Sequence, residues 1–170
     1  QSKHQRMEYT WNYKAGAKVE AGLELPTVDA DEETLVDTSV IYEYVGRYLS
    51  ESWTLEGSYT ALTAGATIES YTSYDKSKHQ RMGYTYNYLA DAVLGIEGAL
   101  PDTAKVDTSV IYNYVVEEGQ DPIRYLYESV TLEGSYTALE EGASVESYTL
   151  YDQSKHQRME YTWNYKAGAK

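Results

Sequence analysis

Met7 to Leu25 reads MEYTWNYKAGAKVEAGLEL, and its alternation decides the fold class. The odd positions are Met7, Tyr9, Trp11, Tyr13, Ala15, Ala17, Val19, Ala21, Leu23 and Leu25. The even positions are Glu8, Thr10, Asn12, Lys14, Gly16, Lys18, Glu20, Gly22 and Glu24. Successive side chains of a strand point to opposite faces, so this spacing gives one apolar and one polar face. A helix would spread the same residues around its circumference. The spacing predicts one long two-faced strand over all nineteen residues.

Most of that stretch lies within QSKHQRMEYTWNYKAGAK, which fills Gln1–Lys18 and returns letter for letter at Gln153–Lys170. A near copy, SKHQRMGYTYNYLADA, begins at Ser77. Other segments recur too: DTSVIY at Asp37 and Asp107, TLEGSYTAL at Thr54 and Thr131, ESYT at Glu69 and Glu146. The offsets, 70 to 77 residues, define a tandem unit of about 76. Residues 1–75 form the first β repeat, 76–152 the second, and 153–170 start a third with an incomplete first strand. Length changes fall in two places only. Leu25–Asp37 is longer than its counterpart Leu100–Asp107, and EEGQDPI (117–123) has no equivalent after Val45. Connections tolerate such changes where paired elements do not.

The remaining segments extend the pattern. Asp37–Tyr48 sets Val40, Tyr42 and Tyr44 against Ser39, Ile41 and Glu43. Trp53–Leu62 sets Trp53, Leu55, Tyr59 and Ala61 against Thr54, Glu56, Ser58 and Thr60. Thr63–Gly65 and Glu140–Gly142 then read as turns, Ala66–Tyr74 as a fourth strand, and Asp75–Arg81 as the return to Met82. Pro26, Pro101 and Pro122 all lie in or beside connections, as expected of a residue that cannot donate to a ladder. The expectation is an all-β chain of four-stranded antiparallel meanders, extending into stacked or arched amyloid-like sheets; the alternative is an up-and-down β-barrel. Up-and-down order gathers Tyr9, Trp11, Tyr13, Tyr44, Tyr48, Trp53 and Tyr74 toward one edge, and aliphatic residues toward the other.

Composition narrows the function classes. A net charge of −13 disfavours nucleic acid and anionic lipid, both of which need clustered Lys and Arg. Without cysteine, disulfide and thiolate chemistry are excluded. Each of His4, His79 and His156 lies in a KHQR segment without the second ligand that zinc spacing requires, so a solvated basic turn is expected. The acids recur with the unit (Glu56 and Glu133, Glu69 and Glu146), which suits solvated strand faces better than one catalytic pair in a cleft. The acidic stretch Asp29–Glu33 lacks the EF-hand spacing, and no phosphate-cradling loop or nucleophile elbow is present. No catalytic, cofactor or metal residue is assigned, and an enzyme is not expected.

The bias toward 20 Tyr and 3 Trp with no Phe carries more meaning. Tyrosine joins a large apolar body to a hydroxyl and suits half-buried contact surfaces. The expected sheet-packing residues come from three strand types. The first contributes Tyr9, Trp11, Tyr13, Tyr84, Tyr86, Tyr88, Tyr161, Trp163 and Tyr165; the second Tyr42, Tyr44, Tyr112 and Tyr114; the third Trp53, Tyr59 and Tyr136.

With near-identical repeats such as SKHQRM and TLEGSYTAL, heavy Tyr, Thr, Ser and Glu usage and no Cys, the chain resembles secreted repetitive sheath or matrix proteins. The β-rich, amyloid-like tubular sheaths of methanogenic archaea are the example. The resemblance implies an extracellular or cell-surface structural protein whose partners are copies of itself. The competing expectation is an outer-membrane, porin-like barrel, with a membrane as partner. A ninth strand that begins and breaks off at Lys170 counts against closure, because an open edge in lipid leaves backbone groups unsatisfied.

Overall fold

The computed structural model describes residues 6–16, 35–116, 124–152 and 158–166. The described chain is all-β, with nine strands in one open antiparallel sheet ordered strictly along the sequence. They are β1 (Tyr9–Tyr13), β2 (Val36–Val45), β3 (Tyr48–Glu56), β4 (Ile68–Tyr74), β5 (Met82–Tyr88), β6 (Val106–Val116), β7 (Arg124–Glu133), β8 (Val145–Tyr151) and β9 (Met159–Asn164). The turns expected at Thr63–Gly65 and Glu140–Gly142 are present, and Gly65 and Gly142 have φ +81° and +86°, a region that costs glycine nothing. Each of the eight ladders contains one register irregularity, and such bulges add local twist.

Register defines the faces. Tyr9, Ile41, Trp53, Tyr71, Tyr86, Ser109 and Leu132 are successive cross-strand partners on one face. On the other, Tyr42, Ser52, Thr72, Thr85, Val110, Thr131, Ser147 and Asn164 follow one another. No second sheet covers the aromatic face among the described residues. It is covered by loops instead. The larger buried cluster joins Ile41, Trp53, Leu55, Ile68, Tyr71 and Tyr86 to Ala66 and Ala92, Leu94 of the connections, with Tyr59 and Leu62 packed against it. A smaller cluster holds Ile111, Val130, Leu132 and Ala143.

Strand bounds differ from the sequence expectation: the second strand ends at Val45, Gly46 turns the chain at φ +61° and Tyr48 opens β3, while the fourth begins at Ile68 and not Ala66. The first strand does not run to Leu25: β1 stops at Tyr13, a turn follows at Ala15–Gly16, and Gly16 has φ +89°. Residues 17–25 lie outside the described residues. The copy in the second unit shows what the alternation does there. After β5 the chain turns, and Thr67 bridges Val93, so that Ala92 and Leu94 bury while Val93 stays 47% exposed. Short 3₁₀ turns follow at Ile96–Gly98 and Thr103–Lys105. The period of two is real, but it serves a segment folded back over the sheet. The third strand likewise ends at Glu56, not Leu62, since Gly57 turns at φ +90° and releases Tyr59 to pack on the core.

The basic turn before β5 is built around a carboxylate. Asp75 Oδ1 accepts from the Ser77 and Arg81 amides at 3.1 Å each, and Oδ2 from Ser77 Oγ at 2.8 Å. Burial alone would raise this carboxyl, but those hydrogen bonds and the Arg81 guanidinium outweigh it and hold it below its usual value. Asp152 Oδ1 accepts from the Arg158 amide in the same way. His79 is exposed on this turn; His4, His156, Asp29–Glu33 and 117–123 lie outside the described residues.

Candidate assembly surface

The expected packing residues divide between two faces. Trp53, Tyr84, Tyr86 and Tyr88 lie on the loop-covered face as one ring system linked through Tyr71. Ring centroids are 5.5 Å apart for Trp53–Tyr71, 6.3 Å for Tyr71–Tyr86 and 4.9 Å for Tyr84–Tyr86. Their tilted geometry avoids stacking like charge over like charge in the ring quadrupoles. Tyr9 and Trp11 sit 5.4 Å apart on β1, and Trp11 Nε1 donates to the Tyr59 carbonyl at 2.9 Å. At the far edge Trp163 packs on Tyr148 and on Tyr161 of its own strand, each at 5.6 Å.

Tyr42, Tyr44, Tyr112 and Tyr114 are on the opposite face, because Ile41 and Ile111 take the covered positions in VDTSVIY. Arg6 lies over the Tyr44 ring at 5.4 Å and Arg81 over Tyr114 at 5.8 Å. The rest of that face is a ladder of hydroxyls and amides. Thr72 and Thr85 Oγ1 are 2.9 Å apart, Ser147 Oγ donates to Thr131 Oγ1 at 2.9 Å, and Asn87 Nδ2 to Thr108 Oγ1 at 3.0 Å. Each face therefore mixes apolar and polar groups.

Sequence reasoning missed three kinds of residue. Ser39 and Ser109 are fully buried on the aromatic face. Each donates to a glycine carbonyl, Gly57 or Gly134, and accepts the amide of Tyr59 or Tyr136 at 2.7 and 2.8 Å. A serine among inward positions of two identical DTSVIY copies was the available signal. Glu51 and Glu128 are the second kind: they accept the Tyr71 and Tyr148 hydroxyls at 2.8 and 2.6 Å. Gly98 is the third. A Cβ there would lie 2.9 Å from Leu62, so the glycine lets two loops meet.

The surroundings of the tyrosines have a consequence at alkaline pH. Burial pushes the Tyr71 and Tyr88 phenols well above 10.0, and the hydrogen bond to Glu128 does the same for Tyr148. Burial takes Tyr114 to about 12. Above pH 10 the unfolded chain ionises these groups first and binds fewer protons than the folded one. Stability is therefore intact below about pH 10 and falls as pH rises toward and through 12. In an alkaline titration, a late fraction of tyrosinate absorbance should appear together with loss of the far-UV β signal. Ionisation of every tyrosine in one step near 10 with the sheet intact would contradict this.

The aromatic face is closed at its centre and open at its ends. Met159, Tyr161, Trp163 and Tyr165 are 70%, 60%, 47% and 46% exposed, and Tyr13 at the other end is 43% exposed. A cavity of about 410 Å³ opens beside β9, lined by Glu133, Ser144, Val145, Glu146, Ser147, Asn164 and Tyr165. Compared with known protein families, curated proteins and solved structures, the chain matches none of them.

Proposed function

We propose that the chain is a structural protein that self-assembles through its β-sheet with copies of itself, into an extracellular sheath, surface layer or fibre. One observation carries the reading. The ladder between β1 and β2 recurs partner for partner between β5 and β6, with Tyr9 opposite Ile41 as Tyr84 is opposite Ile111, and Trp11 opposite Ser39 as Tyr86 is opposite Ser109. A sheet that continues by one repeated antiparallel junction is a template for further strands of the same kind. Stacking of sheets into amyloid-like order, through dry contacts between aromatic faces, is the extension of this reading. The acidic surface keeps the outside hydrated, and the resemblance to sheath proteins supplies the extracellular location.

The neighbour-to-neighbour strand order is also that of an up-and-down barrel, so a porin-like outer-membrane channel is the second reading. It needs a ladder between the first and last strands, and none is present among the described residues.

The triple variant Tyr9→Ser, Trp11→Ser, Tyr13→Ser tests the first reading. Wild-type protein should form heat- and detergent-resistant assemblies with a spacing near 4.7–4.8 Å in diffraction, and the variant should lose that resistance. Unaltered resistance sinks the aromatic-surface idea. A monodisperse particle in mild detergent sinks the polymer and favours the barrel.

A further inference from the structure

Charge is divided between the two ends of the strands. One end of the sheet holds the ends of β3, β5 and β7 and the starts of β2, β4, β6 and β8. There Asp37, Glu56 and Glu69 are exposed in the first unit. Asp107, Glu133 and Glu146, also exposed, take the same places in DTSVIY, TLEG and ESYT of the second. Thr38 pairs with Glu56 as Thr108 pairs with Glu133, so the two trios are placed alike on their strands. The connections at this end add little to offset them. Residues 57–67 carry no charge, 134–144 add Glu140 and Glu141, and Lys105 of the 89–105 connection is paired with Asp91. Burial and then the charges of Asp37 and Glu56 raise the Glu69 carboxyl above its usual value, so like charges meet here.

The opposite end carries cations. Arg47, between β2 and β3, and Lys76, Lys78 and His79, between β4 and β5, are all exposed, with Glu43 among them. Asp75 is taken up by Arg81 and by the amides of its own turn. Residues 117–123, which add acids between β6 and β7, lie outside the described residues. β2 is ten residues long, so the two ends are roughly 30 Å apart at about 3.3 Å per residue. Screening acts over about 8 Å at physiological salt, and the ends of one copy therefore do not neutralise each other.

We propose that copies join end to end along the strand direction, the acidic end of one sheet docking on the basic turns of the next. The inference rests on the assembly reading and adds a direction to it. A second copy is the partner the charges fit, because the chain carries both halves of the contact and repeats them at one interval. The acidic trios recur four strands apart. So does the SKHQR turn, whose Asp152–Arg158 tie between β8 and β9 matches Asp75–Arg81 between β4 and β5. Four strand spacings are about 19 Å at both ends, so seating one trio against one turn brings the next trio to the next turn. Repetition matters, since a single exposed ion pair contributes only about 0–1 kcal/mol. Among the described residues no three carboxylates or histidines are placed to hold one metal ion, and spread cations match them better. Contact between unlike ends is heterologous and continues as an open filament. Two acidic ends repel, which fixes a single polarity.

The test begins with the unmodified full chain. A carbodiimide couples a lysine only to a carboxylate in contact with it. Lys76 and Lys78 are a strand length from the acidic end of their own copy, so their coupling to Glu56, Glu69, Glu133 or Glu146 must bridge two copies. Mass spectrometry should find these couplings. Their yield should fall by about tenfold or more between about 0.01 M and about 1 M salt, as the screening length shrinks from about 30 Å to about 3 Å. Two variants altered only at exposed side chains then test complementarity by sedimentation in low salt. Glu56→Lys/Glu69→Lys/Glu133→Lys/Glu146→Lys and Arg47→Glu/Lys76→Glu/Lys78→Glu should each associate less than the unmodified chain when alone. Mixed in equal amounts they should regain association, since the reversed end of one fits the reversed end of the other. Absence of the couplings, their persistence in high salt, association only with added calcium, or a mixture no better than its parts overturns end-to-end docking. Heat- and detergent-resistant assemblies that still form leave the assembly reading standing. Failure of the unmodified chain to associate at either salt overturns both.

Discussion

Trp53→Ala should lower the unfolding free energy by about 3–5 kcal/mol, whereas Trp53→Phe should lose only a small part of that. The ring is 4% exposed and lies between Ile41 and Tyr71 in the centre of the covered face. Truncation to alanine removes the largest side chain of the cluster and leaves a cavity that the flanking strands cannot close. Phenylalanine retains most of the ring volume and removes a liability. Trp53 Nε1 is buried and has no hydrogen-bond partner among the described residues, and a donor left in that state costs about 1–3 kcal/mol. The residue just before the second copy of TLEGSYTAL, in the place of Trp53, is Val130, buried to the same 4%, so the sheet itself does not require an indole. Urea unfolding in dilute solution, read from the midpoint at constant slope, measures both changes. Equal losses for Phe and Ala would show that the indole N–H is no burden.

Leu55→Ala and Leu132→Ala should differ although the two leucines sit in the same TLEG sequence and are 0% and 1% exposed. Burying a leucine contributes about 1.5–3 kcal/mol, and deleting one costs about 2–5 kcal/mol depending on how far the site collapses. Leu55 belongs to the cluster roofed by Ala66, Ala92 and Leu94, where two loops are tied together by hydrogen bonds from Ile68 N to Ala92 O and from Leu94 N to Ala66 O. That roof cannot drop into a cavity without breaking the ties, so the loss should lie at the upper end of the range. Leu132 lies in the smaller cluster with Ala143, beside an open cavity, and should lie at the lower end. The comparison is made by unfolding of the two single variants. Equal losses would mean that the 89–105 connection adds nothing to the core beneath it.

Strand type and order were legible in the sequence because both follow from local chemistry. Period-two alternation marked the strands, and Gly65 and Gly142 marked turns where only a glycine takes positive φ without strain. Recurrence of DTSVIY and ESYT in step with the strands made a meander the simplest arrangement. Alternation separates Tyr42 and Tyr44 from Ser39, Ile41 and Glu43 but does not say which of the two rows is covered, and the sheet buries Ser39 and Ile41. The reason is the neighbour across the ladder. Ser39 receives the Tyr59 amide and gives its proton to Gly57, so its burial leaves no polar group unsatisfied.

By itself, then, the sequence determined an all-β chain of repeated antiparallel strands, since alternation, turn glycines and repetition depend on nothing beyond a few neighbouring residues. Only the tertiary structure decided where each strand stops, which face each row presents and what covers it. The loop after β5 folds back, and not onward as a strand, because Ala92 and Leu94 find Ala66 and Ile68 across a long sequence gap. The same cause separates three near copies of one strand. Tyr86 is buried and Trp163 half exposed because burial is set by what lies on either side, and a strand's own residues do not encode its neighbours.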